Sequence, residues 1–400
     1  MKKKILITGA IVLVAAAVIL GFILKNQVRE NTDSTAVNVD IGQWDTTQNE
    51  SQNYWNPDNH AVAKGMGGYY FIQTTDGISK IAFFDETTQE AVAVCAKPEC
   101  THSDNTCNAY LCDMKQTGSA LYLTDTIYCY NGYLYLIQCE GGMGKLVRIH
   151  TDGSARETIA DLFANTGVSS ISLVFHENDV YAYDDTGHAG QEEEAEEVIK
   201  KISLTDGTEQ TVFSYTGTGA SIDRGRSFGD KLYFVIREYT KNKETKAVSS
   251  DYKGLFEYDF ATGDTRKVID ADVCDYHADT ENQMLFYFVQ GTGLYAYDMT
   301  QGSNTLIYPA EDELIQCKMS YDGKNLYLFN NGAGRATETK TRIQRYCYVL
   351  DTKGNQIAKI LCNGVVYFGD TDYLFEENGD NLEYMKKENL SDKSEWILIN

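Results

Sequence analysis

The sequence lacks an excess of positive charge. Its 400 residues include 35 Lys and Arg against 58 Asp and Glu, which gives a formal net charge of -23. The first 30 residues hold five of the basic residues and one acidic residue, so the remainder is more acidic still. A surface of this sign repels phosphate backbones and anionic lipid headgroups. We therefore expect no nucleic-acid partner and no adhesion to an anionic lipid surface.

Long helical periodicity is missing after Asn59, and so are the common catalytic motifs. The sequence contains no His-Glu-x-x-His, no Gly-x-Ser-x-Gly and no EF-hand calcium loop. Gly141-Gly-Met-Gly-Lys145 lacks the first glycine and the following Ser or Thr of a phosphate loop. The sequence therefore predicts no catalytic residue and no cofactor, although a carboxylate pair assembled between distant segments stays open.

An uncharged, apolar run covers Ile5–Leu24. At about 1.5 Å per residue, this run spans roughly the 30 Å of a bilayer's hydrocarbon core. Bulky residues, not a small-x-small cleavage site, precede Lys25, so we predict a retained signal-anchor helix over a cleaved signal peptide. The lysines at positions 2, 3 and 4 predict that residues 1–4 are cytoplasmic and that the rest is exported.

A polar stretch, residues 25–54, is typical of a solvated stalk. Beyond it, one short strand pattern recurs seven times, with an aromatic residue at its second place in each copy. The copies are Tyr69–Ile72, Leu134–Ile137, Val180–Tyr183, Leu232–Val235, Leu285–Phe288, Leu326–Phe329 and Asp372–Phe375. We expect most of these aromatic residues to pack in the core and not to form a ligand platform.

Three further strands accompany each copy, separated by pairs such as Asn131-Gly132 and Asp152-Gly153. A repeat of about 49 residues with four strands is typical of a propeller blade. The sequence therefore predicts an all-β fold for residues 55–400, a β-propeller of seven four-stranded blades, preceded by the single transmembrane helix.

Loop lengths divide the two faces of the predicted propeller. The turns from first to second and from third to fourth strand are short, and together they define a tight-turn face. The second-to-third loops and the connections between blades define a long-loop face. It is predicted to carry the insertions 184–197, 237–254, 330–342 and 95–112. Because loops on a rigid scaffold often bind ligands, we expect this face to be the functional one.

Five potential metal or disulfide residues occupy the insertion at 95–112: Cys95, Cys100, His102, Cys107 and Cys112. Two disulfides between these cysteines would staple an exported loop that has little core of its own. The alternatives are a structural zinc site, in which His102 replaces one thiolate, and free thiols. The other six cysteines are scattered over strands, where we expect them to be buried as small apolar side chains.

Two repeats, Leu255–Gly263 and Leu294–Gly302, resemble the blade motif of quinoprotein-type propellers. The region from about Trp55 resembles the TolB-like and domain-of-unknown-function propellers on surface proteins of Gram-positive bacteria. Some of these carry a segment similar to Cys95–Tyr110 after the first blade. The resemblance implies fold and location but no activity. TolB-like domains tend to have six blades, which is the alternative to seven.

These observations lead us to expect a membrane-anchored, extracytoplasmic binding module. Its ligand on the long-loop face would be a surface protein or a cell-envelope or exogenous glycan. One alternative is a glycan-active hydrolase or lyase with carboxylates at the mouth of the propeller channel. Another is a structural subunit of an envelope assembly.

Overall fold

Seven antiparallel sheets follow one another along the chain, and each is built from consecutive strands. The computed structural model describes residues 61–399 except 114, 116–120, 165–170, 185–193, 242–243, 245–247, 331–343, 368–369 and 380. The all-β propeller is confirmed, with seven blades and not six. The predicted membrane helix and stalk lie outside the described residues. Among the residues that are described, no helix is long and apolar enough to cross a membrane.

The strands of the seven blades have the following bounds. Blade 1 contains β1 (Val62–Gly65), β2 (Gly68–Thr75), β3 (Ile78–Asp85), β4 (Ala91–Ala93) and β5 (Tyr110–Asp113). Blade 2 contains β6 (Leu121–Tyr130), β7 (Tyr133–Glu140), β8 (Met143–His150) and β9 (Arg156–Ala164). Blade 3 contains β10 (Ile171–His176), β11 (Asp179–Asp184), β12 (Glu194–Ser203) and β13 (Glu209–Thr218). Blade 4 contains β14 (Ser221–Phe228), β15 (Lys231–Lys241), β16 (Val248–Asp259) and β17 (Thr265–Ile269). Blade 5 contains β18 (Val273–Asp279), β19 (Met284–Val289), β20 (Gly293–Asp298) and β21 (Ser303–Pro309). Blade 6 contains β22 (Lys318–Tyr321), β23 (Asn325–Phe329), β24 (Arg345–Asp351) and β25 (Gln356–Cys362). Blade 7 contains β26 (Val365–Tyr367), β27 (Tyr373–Asn378), β28 (Asn381–Lys386) and β29 (Ile397–Leu398).

Two-residue turns set the register of several hairpins. Between β6 and β7, Asn131 and Gly132 have φ angles of 49° and 76°. Positive φ at both central residues is the type I′ geometry that matches the twist of paired strands, and Asn-Gly is the pair that adopts it most readily. The turn therefore pairs Tyr130 with Tyr133 and fixes which side chains of blade 2 face the core.

The recurring aromatic strand is the second strand of every blade. Its aromatic residue at the second place of each copy is at most 7% exposed. These residues are Tyr70, Tyr135, Tyr181, Tyr233, Phe286, Tyr327 and Tyr373. The prediction that the aromatic stripe packs in the core is therefore confirmed.

A buried ion pair ties blades 4, 5 and 6 together near the ring's interior. Arg226 on β14 is 1% exposed, and its Nη1 lies 3.1 Å from Oδ1 of Asp275 on β18. Its Nη2 donates to the carbonyl of Met319 on β22 at 2.9 Å, and the Met319 amide donates to Asp275 at 2.7 Å. We call these three residues the Arg226 network.

Blades 7 and 1 close the ring by side-chain packing, since neither sheet contains a described strand from the other blade. Tyr69 of β2 packs edge-on against Tyr373 and Phe375 of β27, with ring centroids 5.5 and 4.8 Å apart. Phe84 of β3 packs against Tyr384 of β28 at 5.2 Å. We call this contact between blades 7 and 1 the closing seam.

The predicted place of the Cys-rich insertion is wrong. It does not follow blade 1 but interrupts that blade's fourth-strand position, because β4 pairs with one half of β3 and β5 pairs with the other half. The segment also contacts the turn between β8 and β9, where Asn108 Nδ2 donates to the Gly153 carbonyl at 2.7 Å. That turn belongs to the tight-turn face, so the insertion is not part of the long-loop face.

Two of the predicted long loops are shorter than expected. Strand β15 of blade 4 extends to Lys241, and β16 begins at Val248. Residues 237–254 are therefore mostly strand. Strand β12 begins at Glu194, inside the loop predicted at 184–197. The remaining loop residues, 185–193 and 331–343, lie outside the part of the chain that the structure describes.

Candidate functional site

A polar cleft of about 470 Å³ opens on the tight-turn face beside the closing seam. It is formed by the first-to-second turns of blades 6 and 7, the residues that follow β28, and the residue that follows β3. Its lining residues are Glu86, Asp322, Lys324, Asn325, Tyr327, Thr371, Asp372, Tyr373, Lys386, Lys387 and Glu388. Two tyrosines and seven charged side chains therefore surround one cavity of small-ligand size.

Lys387 is the buried cation of this cleft. Its side chain is 4% exposed, and its Nζ lies 3.5 Å from Oδ2 of Asp322 and 4.0 Å from the centroid of the Tyr327 ring. The same Nζ donates to the backbone carbonyl of Asp370. Burial lowers the pKa of Lys387, although the charges of Asp322 and Asp370 oppose that effect.

Asp322 is held by its own turn. Its Oδ1 accepts the amides of Lys324 and Asn325 at 3.0 and 2.7 Å, and its Oδ2 accepts the Tyr327 hydroxyl at 2.6 Å. An aspartate whose carboxylate accepts hydrogen bonds from the backbone amides two and three residues later forms an Asx turn. Burial and the charge of Asp322 raise the pKa of Tyr327, so its hydroxyl stays protonated at neutral pH and donates a hydrogen bond to Asp322.

Asp370 repeats this arrangement one blade further on. Both of its carboxylate oxygens lie 2.8 Å from the Tyr69 hydroxyl, and its Oδ2 lies 3.1 Å from Nζ of Lys64. Its Oδ1 also accepts the amide of Asp372 at 2.9 Å. Burial opposes ionisation of Asp370, but the Lys64 charge and these hydrogen bonds hold its pKa below the usual range. Two Tyr–Asp–Lys groups therefore flank blade 7, one at its boundary with blade 6 and one at the closing seam.

Three carboxylates, Glu86, Asp370 and Asp372, have oxygens within 4.8 Å of one another, a spacing that could hold a metal ion. However, Lys64 already lies between two of them, 2.7 Å from Glu86 and 3.1 Å from Asp370. The ammonium group supplies the positive charge that a cation would bring. We therefore assign Glu86 and Asp370 to ring closure, with Lys64 in the place that a metal ion would take.

A second cavity of about 340 Å³ opens at the same seam on the opposite face. It is lined by residues of β2, including Phe71 and Gln73, and by Glu377 and Asn381 at the second-to-third turn of blade 7. The closing seam therefore has a cavity at each end, and the larger one lies on the tight-turn face.

The structure brings together four of the five residues singled out in the Cys-rich insertion. Ligand atoms of Cys95, Cys100, His102 and Cys107 lie within 4.8 Å of one another. Cys112 is not in this group, because it lies on β5 opposite Ser79. None of the ten cysteines is disulfide-bonded in this structure. The two predicted disulfides remain a prediction.

The cleft residues were missed in the sequence because they come from turns that look ordinary. Asp322-Gly323 is a turn pair like those between other strands, and Lys387 belongs to no motif. A usable signal exists all the same, since Asp322 and Asp370 each precede the aromatic strand of their blade. An aspartate before a Tyr strand in neighbouring repeats would have indicated paired Tyr–Asp contacts.

Comparisons with known proteins find only distant structural similarity. No protein-family model and no curated protein matches the chain. Among solved structures, the chain is similar to BamB from Moraxella catarrhalis, with 13% identity, a TM-score of 0.39, and coverage of 81% of this chain and 94% of that one. It is also similar to an oligogalacturonate lyase in complex with manganese, with 11% identity, a TM-score of 0.48, and coverage of 83% and 86%. TolB from Acinetobacter baumannii matches with 12% identity, a TM-score of 0.36, and coverage of 72% and 77%. Similarities at this level identify no activity.

Proposed function

We propose that the chain is a membrane-anchored, extracytoplasmic binding module whose cleft at the closing seam holds a neutral glycan. The observation that supports this proposal is the cleft itself, a cavity of about 470 Å³ with a largely polar and charged lining. Side chains that donate and side chains that accept hydrogen bonds suit a ligand with many hydroxyl groups, while the rings of Tyr327 and Tyr373 stay packed in the core.

The charge of the cleft favours a neutral ligand. The chain has a net charge of -23, but the cleft contains four carboxylates and three lysines, which nearly balance. Hydroxyl groups can donate to the carboxylates and accept from the ammonium groups, whereas an ion would be repelled by half of the lining. A cell-envelope or exogenous polysaccharide has this chemistry.

The carboxylates of the two Tyr–Asp–Lys groups favour binding over hydrolysis or elimination. A glycosidase uses one carboxylic acid with a raised pKa and a second carboxylate across the sugar. Here Asp322 and Asp370 are each held by a tyrosine, a lysine and backbone amides, and the pKa of Asp370 is lowered. The hydrolase or lyase with carboxylates at the channel mouth is therefore the second candidate, and product release in the assay below would establish it.

The location is part of the proposal and depends on the sequence. Ile5–Leu24 would form the anchor, the lysines at positions 2–4 would keep the N-terminus inside, and the propeller would be displayed on the outer surface, as in the Gram-positive proteins that it resembles. Replacing Val12 and Val14 with arginine should release the protein from the membrane fraction, because each central arginine costs about 2.5–3.5 kcal/mol on insertion. Unchanged membrane association, together with resistance of the propeller to protease added to intact cells, would contradict the anchor and the topology.

A surface-protein partner on the long-loop face stays a prediction, because much of that face lies outside the described residues. A partner that co-purifies from cross-linked membranes and stabilises the chain would indicate an envelope assembly instead.

The binding proposal is tested with full-length protein in mild detergent on an array of bacterial and plant glycans. The cleft variant combines Asp372→Asn and Lys386→Gln, which alter exposed lining residues of blade 7. The matched control combines Asp270→Asn and Lys267→Gln, an exposed pair 2.8 Å apart at blade 4. We expect a defined glycan to bind, and the cleft variant to weaken its affinity about tenfold, since one hydrogen bond to a charged group contributes about 1.5–3 kcal/mol.

If the cleft variant and the control variant bound the glycan with equal affinity, this result would contradict the assignment of the cleft as the glycan-binding site. Absence of any bound glycan would contradict the glycan ligand. The same incubations are analysed for shortened or unsaturated oligosaccharides, whose appearance would replace the binding module with an enzyme.

A further inference from the structure

The Cys-rich segment gathers four soft donor atoms at the outer edge of blade 1. Cys95, Cys100, Cys107 and His102 each contribute one, and all four lie within 4.8 Å of one another. Nδ1 of His102 lies 3.3 Å from Sγ of Cys107. These residues are 12 positions apart at most, and the spacing of Cys95 and Cys100 falls within the range seen in structural zinc sites.

We propose that Cys95, Cys100, His102 and Cys107 bind one Zn²⁺ as a closed structural site. Zinc is held tetrahedrally with distances of about 2.3 Å to sulfur and about 2.0–2.1 Å to nitrogen, so neighbouring ligand atoms lie roughly 3.5–3.8 Å apart. The four donor atoms need to move little to reach this geometry. On binding, the three thiols release their protons to solvent, and the imidazole binds as the neutral form. Four protein ligands leave no position open for a substrate.

Backbone amides directed at the three sulfurs support thiolate ligands. The Lys97 amide lies 3.5 Å from Sγ of Cys95, and the His102 amide is directed at the sulfur of Cys100. The Ala109 amide is directed at the sulfur of Cys107, whereas the Tyr110 amide donates to the Cys107 carbonyl at 3.1 Å. In each case the amide directed at the sulfur belongs to the second residue after the cysteine. Donors around the sulfur stabilise its negative charge and orient it toward a metal.

The loop that carries His102 and Cys107 is already organised. Asp104 Oδ1 accepts the amide and the hydroxyl of Thr106 at 2.9 and 2.6 Å, and the Cys107 amide donates to the Asp104 carbonyl at 3.1 Å. Lys97 Nζ donates to the Thr106 carbonyl, which joins the two halves of the segment. His102 adopts a φ of 56°, so the backbone turns sharply where its ring faces Cys107.

The proposed metal would fix this segment against blade 2. Cys107 is 1% exposed and packs in one cluster with Ala109, Leu111 and Ile149. Gly153 in the blade 2 turn approaches so closely that a Cβ there would lie 2.5 Å from the carbonyl oxygen of Val94. Most residues between the ligands are exposed and provide no core, so zinc supplies the cross-link that apolar packing does not.

The test is metal analysis of full-length protein purified under reducing conditions without chelator. We expect one zinc per chain, and loss of most of it in Cys100→Ser and in His102→Ala. Cys112→Ser is the matched control, because Cys112 is buried in the same segment but lies outside the donor group, and it should keep the metal. His102→Cys should also keep it, which separates loss of a ligand from loss of the fold.

Cobalt substitution gives an independent result. Co²⁺ should show the intense visible bands of a tetrahedral thiolate site in the wild type and in Cys112→Ser. These bands should shift in His102→Cys, where four sulfurs surround the ion, and disappear in Cys100→Ser. Equal metal loss in Cys112→Ser and Cys100→Ser would overturn the assignment. So would metal-free protein whose intact mass and thiol alkylation show disulfides among these cysteines.

Discussion

The Arg226 network and the closing seam both bury charged groups between blades, but only the seam is open to solvent. In the network, Arg226 and Asp275 are 1% and 0% exposed, and both contact the backbone of a third blade. At the seam, Lys64 and Glu86 are about a quarter exposed, and a cleft reaches Lys387 from outside. The same chemistry therefore serves two purposes. Sealed ion pairs fix the ring, whereas the partly open ones leave side chains that can meet a ligand.

The largest expected effect is at the sealed network. Arg226→Met removes the closer of two arginines from the buried Asp275 carboxylate and leaves Arg224, whose Nε lies 3.7 Å away. Breaking a buried pair typically costs about 3–5 kcal/mol, and because Arg224 remains we expect a loss near the lower end of this range. Urea unfolding monitored by tyrosine fluorescence measures this loss. The control is Lys267→Gln, which breaks an exposed ion pair and should change stability by less than about 1 kcal/mol. A loss of similar size in both variants would remove the distinction between sealed and exposed pairs.

The seam should respond less strongly. Tyr69→Phe removes the hydroxyl that lies 2.8 Å from both oxygens of Asp370 but leaves Lys64 in place. We expect a loss of about 1.5–3 kcal/mol, the range for a hydrogen bond to a charged group. Comparison with Tyr295→Phe, whose ring is only half-buried, corrects for loss of a tyrosine hydroxyl. If Tyr69→Phe lowered the free energy of unfolding more than Arg226→Met does, the closing seam would contribute more to stability than the Arg226 network, contrary to this account.

The two regions should also differ in acid. His277 next to the Arg226 network is buried, and burial lowers its pKa well below the usual value. The unfolded chain therefore binds a proton near pH 6.5 that the folded chain excludes, and stability falls below that pH by up to about 1.4 kcal/mol per unit. Asp370 has a lowered pKa, so its contribution is lost only below about pH 4.

Unfolding measured between neutral pH and pH 5 checks this difference. His277→Gln should flatten the decline in that range. The contribution of His176, whose pKa is also lowered, remains, together with an opposite contribution from Asp223, because burial raises the pKa of that carboxyl to about 6. Asp370→Asn should lower stability at neutral pH and leave the slope above pH 5 unchanged. If Asp370→Asn alone flattened the slope, the acid response would belong to the seam.

Local patterns in the sequence predicted the propeller, because alternation and turn pairs act over a few residues. Asn131-Gly132 fixes a hairpin by itself, and the aromatic strand recurs in every blade. The cleft was not predictable in the same way. Lys64 and Asp370 are at opposite ends of the propeller sequence and meet only when the ring closes. Within the Cys-rich segment, spacing alone also did not separate Cys112 from the other candidates, since pairing of β5 with β3 sets it apart.

The smallest expected effect on stability is at the rim of the cleft. Asp372→Asn with Lys386→Gln alters exposed side chains and should change the free energy of unfolding by no more than about 0.5 kcal/mol. Its thermal unfolding curve should overlay that of the wild type. A large shift would mean that the rim supports the ring, and reduced ligand binding by this variant would then have a structural cause.

Hydrogen exchange with and without the glycan selected on the array locates the ligand most directly. If the cleft binds it, amides of Thr371–Tyr373 and of Lys386–Glu388 become protected, while those of β14 in the Arg226 network exchange as before. Protection confined to the long-loop face, or none beside the closing seam, would contradict the assignment of function to the cleft.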